Sequence, residues 1–208
     1  MAEAFPAQGA QSGTTSDDAP ALANLAAASA AAGAAPVEQW NPPFCGDIDM
    51  RIARDGAWFY QGTPILRPAM VRLFASILRK DPERYVLVTP VERVGISVDD
   101  APFIAVEMQV EGTGPARTLR FRTNVDDWVG VDAAHPLRFE KDASGGVKPY
   151  VRVRGGLWAL AARACAIDLI ALCEMRAHEG LESFGVASAG AFFSLADAQE
   201  LAAIEAGL

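Results

Sequence analysis

FIAVEMQVEGTGPARTLRFRT, which runs from Phe103 to Thr123, is the stretch of the sequence that decides the fold. Apolar and polar residues alternate on both sides of its Gly-Thr-Gly-Pro segment, and a period of two is typical of half-buried strands. The stretch therefore predicts an antiparallel hairpin. On its second strand, Leu119 and Phe121 face a core, and Arg120 and Arg122 face outward.

The first strand of this hairpin is expected to turn four apolar side chains inward, namely Ile104, Val106, Met108 and Val110. Its polar residues then face outward beside the arginines. A turn at residues 112–116 sets Glu107 near Arg122 and Gln109 near Arg120. Cross-strand charge pairing is thus one explanation of these arginines, and it needs no ligand.

Similar patterns lie on either side of this hairpin. Further strands are predicted at 85–89, 93–98, 137–141 and 148–154, and tight turns at Asp55-Gly56 and Ser188-Ala189-Gly190. Helical periodicity predicts a helix from Pro68 to about Asp81 and a nearly all-apolar, buried helix over 156–177. Shorter helices are expected at 20–32 and 196–206.

These elements define the fold class as α+β, with two related units of β-hairpins or antiparallel sheet, each packed on an amphipathic helix. The segment 53–59 resembles 187–193, since both place a small residue and two aromatics after a turn. The predicted organisation is a disordered or partly helical alanine-rich leader at 1–37, a first unit at 38–102, a second at 103–195, and a short helix or tail at 196–208.

Composition limits the function classes. The formal charge of −8 is concentrated before Arg51, where six acidic residues and no lysine or arginine occur, so no basic field indicates a nucleic-acid partner. The sequence has no run of 18 apolar residues and no basic segment before its alanine-rich stretch. We therefore expect no membrane span, no secretory signal and a cytoplasmic location. Three widely spaced cysteines do not indicate a disulfide framework.

Arginines that face outward from the predicted strands form the main candidate site. If the strands are neighbours, one sheet face carries up to five guanidinium groups, which bind phosphates and carboxylates through paired hydrogen bonds. We assign to this site Arg120, Arg122, Arg138, Arg152 and Arg154, together with Asn124 and Glu92. The expected partner is an anionic small molecule or an acidic protein segment.

Asp47 and Asp49 form a second candidate site. Residues two apart on an extended strand point to the same side, and paired carboxylates suit Mg²⁺ or Ca²⁺. A solvated strand start, or carboxylates that cap Arg51 or turn amides, explains them without a metal, and no further ligand occurs at a fixed spacing. No Walker loop, GxGxxG, GxSxG or HExxH motif occurs, and Cys45 is expected to be a small buried residue. We predict no organic cofactor.

Several local strings, in order, resemble the bacterial "domain of unknown function 1285" family over residues 40–195. They are Trp40-Asn41-Pro42-Pro43-Phe44-Cys45-Gly46-Asp47-Ile48-Asp49-Met50-Arg51-Ile52, Trp58-Phe59-Tyr60-Gln61-Gly62, Leu87-Val88-Thr89-Pro90-Val91-Glu92, Phe121-Arg122-Thr123-Asn124, His135-Pro136-Leu137-Arg138 and Pro149-Tyr150-Val151-Arg152-Val153-Arg154. The resemblance implies a two-unit α+β architecture and brings no assigned activity. Signalling or ligand sensing is what it suggests.

The leading hypothesis is a non-catalytic ligand- or partner-binding module in signalling or regulation. The alternative is a metal-assisted hydrolase that uses Asp47 and Asp49 with a third carboxylate such as Glu92. A purely structural adaptor is a third possibility, and an apolar surface patch would distinguish it. The sequence leaves the oligomeric state open.

Overall fold

The computed structural model describes residues 36–142, 145–178 and 180–197, and within these ranges it contains three sheets and two short α-helices. Residues 1–35 of the predicted leader at 1–37, including the helix expected over 20–32, lie outside the described residues. The helix predicted at 196–206 lies outside them as well, except for its first two residues. The fold class is α+β, with far more strand than helix.

Six strands build the sheet of the first unit. They are β1 (Phe44–Ile52), β2 (Trp58–Tyr60), β3 (Thr63–Pro64), β4 (Leu78–Lys80), β5 (Tyr85–Val88) and β6 (Arg93–Val98). Their order in the sheet is β3-β2-β1-β6-β5-β4. The hairpin predicted across Asp55-Gly56 is confirmed, because β1 and β2 pair antiparallel with Ile52 opposite Trp58. The parallel pairing of β1 with β6 joins two distant segments, so no local pattern predicts it.

Helix α1 (Pro68–Ser76) is shorter than predicted. It begins at Pro68, whose fixed φ suits a first helical turn, and it buries Phe74, which stacks on Trp58 at 6.2 Å between ring centroids. The prediction of a helix up to Asp81 is wrong, because β4 pairs with β5 and sets Leu78 opposite Leu87 in the core. The hairpin across the Asp81–Arg84 turn, which buries Leu78, outweighs the helical periodicity at the end of this segment.

Six further strands form the main sheet of the second unit. They are β7 (Phe103–Glu111), β8 (Thr118–Thr123), β9 (Trp128–Gly130), β10 (Leu137–Lys141), β11 (Val147–Arg154) and β12 (Leu157–Ala161). Their order is β10-β11-β12-β7-β8-β9. The central hairpin is confirmed in its register, since Glu107 lies opposite Arg122 and Gln109 opposite Arg120.

A bulge in β7 changes which residues face the core. Ala105 pairs with Thr123 but Glu107 pairs with Arg122, so one extra residue interrupts the alternation. Phe103 and Ala105 are fully buried, whereas Val106 is 40% exposed. The expectation that Val106 and its even-numbered neighbours all face inward is therefore wrong at the start of the strand.

The long helix predicted over 156–177 is also wrong. Residues 157–161 form the central strand β12, helix α2 covers only Arg163–Ala171, and β13 (Glu174–His178) follows. A short apolar run fits a buried strand as well as a helix, and pairing with both β11 and β7 selects the strand. Helix α2 buries Cys165 and Leu169 but leaves Ile167 exposed, so it is a surface helix.

A three-stranded sheet completes the second unit. Strand β14 (Leu181–Ser188) lies between β13 and β15 (Ala191–Asp197). The turn predicted at Ser188-Ala189-Gly190 is confirmed, with positive φ at Ala189 and Gly190. Among the described residues, no helix is long and apolar enough to cross a membrane.

The first unit covers part of one face of the second sheet. Tyr150 on β11 is buried there and donates a hydrogen bond to Asp100, at 2.7 Å between oxygens. Arg154 lies four residues further along β11 and donates a hydrogen bond to the carbonyl of Ala75 in α1. At the other end, Asn124 contacts the Asp55-Gly56 turn. This sheet face is therefore an interface between the units rather than a free surface throughout.

The close approach of the first unit to the second at Gly56 can be tested by substitution. Its φ is +82°, and a Cβ there would lie 2.7 Å from Asn124 Nδ2 and 2.9 Å from Ile104 Cγ1. We expect Gly56→Ala to lower the free energy of unfolding by about 2 kcal/mol, from backbone strain plus the contact. Gly62→Ala is the matched control, since its φ is +71° but no described atom lies within 4 Å of the added Cβ. We expect Gly62→Ala to lower the free energy of unfolding by about 1 kcal/mol. Equal losses in urea unfolding would contradict the close approach.

Candidate functional site

Four of the five arginines of the predicted anion site lie on one face of the second sheet. Register and alternation place those of β8 on the side of Ile104, which is in register with Leu160 and Tyr150 across β12 and β11, and Arg138 is opposite Tyr150. A bulge after Arg152 shifts the register of β11, so alternation does not place Arg154 on this face. Strands β12 and β7 also lie between β11 and β8. The condition for one continuous cluster, that the arginine-bearing strands are all neighbours, is therefore not met.

The group on β8 consists of Arg120 and Arg122, and acidic side chains already contact both. Arg120 donates to Glu111 at 2.9 Å and lies over a tryptophan ring. Arg122 donates to Glu107 at 2.8 Å and to Asp126 at 3.0 Å. The hydrogen bond from Arg122 lowers the pKa of Glu107. This part of the face is balanced in charge.

Arg138 on β10 lies between two aromatic rings. Its guanidinium is 4.7 Å from the Tyr150 centroid and 4.5 Å from the Trp158 centroid, and it forms an ion pair with Glu140 at 3.1 Å. The side chain is 45% exposed, so the outward direction predicted for Arg138 agrees with its position. Stacking between rings is a common environment for arginine and by itself requires no ligand.

The two arginines of β11 hold main-chain groups. Arg152 donates from Nε to the carbonyl of Gly155 at 2.7 Å, which closes the turn into β12. Arg154 donates to Ala75 of the first unit and lies 3.7 Å from Asp127. Burial lowers the pKa of Arg154. Both side chains therefore have structural roles in the described protein.

Asn124 and Glu92, the other two residues of the predicted anion site, lie in different parts of the structure. The Asn124 side-chain oxygen accepts a hydrogen bond from the Ile104 N–H at 3.1 Å, at the junction of the units. Glu92 belongs to the β5–β6 turn, where its main chain pairs with Thr89. Neither residue converges with the arginines of β10 or β11.

Asp47 and Asp49 lie on the exposed side of β1, as their spacing predicts. Asp47 is 72% exposed and forms a long ion pair with Arg84 at 3.6 Å. In the described ranges 36–142, 145–178 and 180–197, no group of three or more His, Cys, Asp or Glu side chains is arranged to hold a metal ion. A divalent-metal site at Asp47 and Asp49, and the hydrolase that needs it, stay predictions.

A cleft on the first unit, which we call the Phe44 cleft, brings together residues that the sequence did not single out. Its volume is about 430 Å³. It is lined by Phe44, Asp81, Pro82, Glu83, Arg84 and Arg93. The parallel pairing of β1 with β6 sets Phe44 beside Arg93, and the β4–β5 turn supplies the other wall. This size is in the range of small-molecule sites.

Two guanidinium groups lie close to the aromatic ring in this cleft. Arg84 lies 4.7 Å and Arg93 5.9 Å from the Phe44 centroid. Asp81 accepts hydrogen bonds from Arg79 at 2.8 Å and from Arg93 at 3.0 Å, so two cations share one anion. The Nε of Arg93 is buried and has no hydrogen-bond partner among the described residues. The lining of the cleft therefore has a local excess of positive charge.

A second cavity, of about 320 Å³, lies where α1 approaches the second unit. Trp58, Ile65 and Val71 give it an apolar lining, and Arg72 and Asn124 provide polar groups at its rim. Arg72 is already paired with Asp126 at 3.2 Å. Of the residues that the sequence assigns to the anion site, Asn124 lines this cavity.

The cysteines do not have the environment of nucleophiles. Cys45 is exposed, so the expectation of a buried residue is wrong there. Burial raises the pKa of Cys165, and it raises the pKa of Cys173 to about 11. A catalytic thiol needs the opposite shift, because the thiolate is the reactive form.

Sequence reasoning missed Phe44, Arg84 and Arg93 for a definite reason. Arg84 is the last residue of the turn Asp81-Pro82-Glu83-Arg84, whose sequence predicts only the end of the preceding helix. Phe44 and Arg93 are neighbours through a parallel strand pair. Such a pair leaves no local spacing in the sequence, so nothing in the pattern brings these residues together.

The fold and the cleft define a two-unit α+β protein with mixed sheets and an arginine-walled cavity on its first unit. The chain belongs to the DUF1285 family. The "Domain of unknown function (DUF1285), N-terminal domain" matches residues 35–101, and the "Protein of unknown function (DUF1285), C-terminal domain" matches residues 102–195.

Two solved structures are similar to this chain. A DUF1285 family protein from Silicibacter pomeroyi DSS-3 is 52% identical with a TM-score of 0.77, over 86% of this chain and 97% of that one. A DUF1285 family protein from Shewanella baltica OS155 is 28% identical with a TM-score of 0.48, over 60% and 91% of the two chains. No curated protein matches.

Proposed function

We propose that this protein is a non-catalytic binding protein, with a role in signalling or regulation, whose Phe44 cleft takes a small organic anion. The observation that carries the proposal is the pair of guanidinium groups, Arg84 and Arg93, at 4.7 and 5.9 Å from the centroid of a partly exposed aromatic ring in a cavity of about 430 Å³. The ligand class is a phosphate or carboxylate attached to a planar apolar group.

The anionic part of the ligand is inferred from the donors. Arg93 is 24% exposed and pairs with Asp81 at 3.0 Å, so part of its guanidinium group can still contact an ionised acceptor in the cleft. Arg84 is 44% exposed and its ion pair with Asp47 is long, so it can exchange that carboxylate for a ligand at little cost. A fork of two guanidinium groups favours phosphate or carboxylate over a neutral acceptor.

The planar part of the ligand is inferred from Phe44. Its side chain is 39% exposed at the opening of the cleft, which is unusual for a phenylalanine at the first position of a central strand. A flat ring of a ligand that stacks on Phe44 would cover this apolar surface.

The arginine-bearing sheet face remains a second location for an anion. We place it second because each of the five predicted arginines already contacts a carboxylate or a main-chain carbonyl. A ligand there must displace these partners, whereas in the Phe44 cleft the ion pair of Arg84 with Asp47 is long and exposed.

The test is a binding titration by calorimetry with AMP, adenosine, inorganic phosphate and salicylate as probes. AMP and salicylate carry both a ring and an anionic group, so they should bind more tightly than adenosine or phosphate. The variant Arg84→Gln/Arg93→Gln should weaken AMP binding by about tenfold or more, since hydrogen bonds to charged groups contribute about 1.5–3 kcal/mol each.

The matched control is Arg120→Gln/Arg122→Gln, which removes the same number of guanidinium groups from the sheet face. Binding should survive in this control. If the control loses binding and the cleft variant keeps it, the ligand site is the sheet face and the cleft assignment is wrong. If none of the four probes binds, the proposed function is contradicted.

A further inference from the structure

Among the described residues, strand β13 forms a free edge of the three-stranded sheet, and much of it is exposed. Four of its five residues are exposed, although successive side chains point to opposite faces. Met175 is 50% exposed, and Leu181, just across the turn on β14, is 62% exposed. Strand β13 and the start of β14 therefore carry apolar side chains in solvent, whereas the rest of β14 packs into the protein.

Within the part of the chain that the structure describes, the edge of β13 is neither covered by another element nor interrupted by a bulge or a proline. Its sequence has no proline, and its register with β14 runs without a bulge from Glu174 opposite Gly185 to His178 opposite Leu181. Edge strands of stable proteins are commonly interrupted, covered or kinked, because their free N–H and C=O groups pair readily with another strand. Glu174 and Arg176 are charged, and charged side chains can also discourage pairing at an edge. Their charges are of opposite sign, however, so they can pair with each other across two strands.

The direction of the free backbone groups follows from the turn. Two residues separate His178 from Leu181, and residues that flank a two-residue turn exchange both hydrogen bonds. Alternate residues along β13 then direct their N–H and C=O groups away from β14. These residues are Met175 and Ala177, which are therefore available to an added strand.

Charge selects one register for pairing with a second copy. An antiparallel pair centred on Glu174 sets that residue against itself, and one centred on Arg176 does the same with arginine. A pair centred on Ala177 sets Arg176 opposite the partner's His178. A pair centred on Met175 sets Glu174 opposite the partner's Arg176, twice by symmetry, and it uses outward backbone groups. It also brings the two exposed Met175 side chains together.

We propose that two copies of this chain associate through β13, antiparallel and centred on Met175, so that two three-stranded sheets join into one. The two-fold axis makes the contact isologous, which is the commonest arrangement of homodimers. A single short strand buries little area, so the dimer is weak and depends on protein concentration. The interface is on the second unit and is independent of the Phe44 cleft.

Sedimentation velocity of the full chain over a range of concentrations tests the register. The wild type should show a monomer–dimer equilibrium. Arg176→Glu sets like charges opposite each other and should weaken association by about tenfold or more. The double variant Glu174→Arg/Arg176→Glu restores opposite charges across the axis and should restore the dimer. Both positions are exposed, so circular dichroism should show an unchanged fold.

A cross-link gives an independent readout. In a Cys45→Ser background, Met175→Cys should form an intermolecular disulfide under mild oxidation, because the two thiols face each other across the axis. Leu181→Cys, which is equally accessible but off the axis, is the control and should not cross-link. A wild type that sediments as a monomer at every concentration, or a double variant that stays monomeric, would overturn the proposal.

Discussion

Replacing Arg79 with alanine is expected to destabilise the protein by about 3–5 kcal/mol, which is a large effect for one residue. Arg79 is only 7% exposed. Its guanidinium donates to the carbonyls of Val37 and Trp40, at 2.8 and 2.6 Å, and to Asp81 at 2.8 Å. Alanine removes the side-chain donor of the Trp40 carbonyl, leaves the Val37 carbonyl with only the 3.4 Å hydrogen bond from the Trp40 N–H, and leaves the Asp81 carboxylate with Arg93 alone.

The location of Arg79 makes this result informative for function. Its three hydrogen bonds fasten the segment before β1 to the wall of the Phe44 cleft, so the same change should loosen that wall. We expect the midpoint of urea unfolding, followed by tryptophan fluorescence, to fall strongly. Arg79→Lys should recover part of the loss, because one ammonium group can still satisfy one of the acceptors.

Arg84→Ala is the matched control for this measurement. It removes the same kind of side chain from the neighbouring turn, but Arg84 is 44% exposed and its ion pair is long. Exposed ion pairs contribute at most about 1 kcal/mol. If the two variants lose equal stability, the buried hydrogen bonds of Arg79 do not have the role inferred for them.

Asp100→Asn is expected to cost about 2–3 kcal/mol, since it weakens two charge-assisted hydrogen bonds between the units. Asp100 follows β6, and its side chain is 12% exposed. It accepts from Tyr150 at 2.7 Å and from Lys148, both on β11. Asp99→Asn is the control, because the neighbouring Asp99 makes only an exposed ion pair with Arg51. That variant should lose less than about 1 kcal/mol.

The same contacts predict a pH dependence. Burial raises the pKa of Asp100, but the hydrogen bonds from Lys148 and Tyr150 lower it by more, so the pKa lies below the usual range. A carboxyl group with a lowered pKa stabilises the folded state above its unfolded pKa, and this contribution is lost as the pH falls through the folded value. Wild-type stability should therefore decline more steeply than that of Asp100→Asn below about pH 4.

The partner in this pair behaves in the opposite way. The hydrogen bond to Asp100 raises the pKa of Lys148, so its contribution is present at neutral pH and lost as the pH rises through the raised value, above about 10.5. The link between the units should thus be constant across the neutral range. Parallel acid slopes for wild type and Asp100→Asn in urea unfolding would show that the carboxylate does not hold the units together.

Elements that depend on local interactions could be predicted from the sequence. The hairpin of β7 and β8 was predictable to the residue in its register, because both strands and their turn lie within one short stretch. The bulge at Val106 was not, since it depends on what packs against each face of the strand. Helix α1 was predictable at its start, where Pro68 acts locally, and not at its end, where β4 pairs with β5.

The sequence by itself determined the α+β class, the two hairpin turns, the register of the β7–β8 hairpin and the family. These features depend on alternation, turn residues and local strings, which act over a few positions. Only the tertiary structure decided that residues 157–161 are a strand, that β12 and β7 separate the arginines, and that Phe44 lies close to Arg84 and Arg93. Each of these depends on pairing between distant segments, whose free energy comes from burial and hydrogen bonds that no local pattern records.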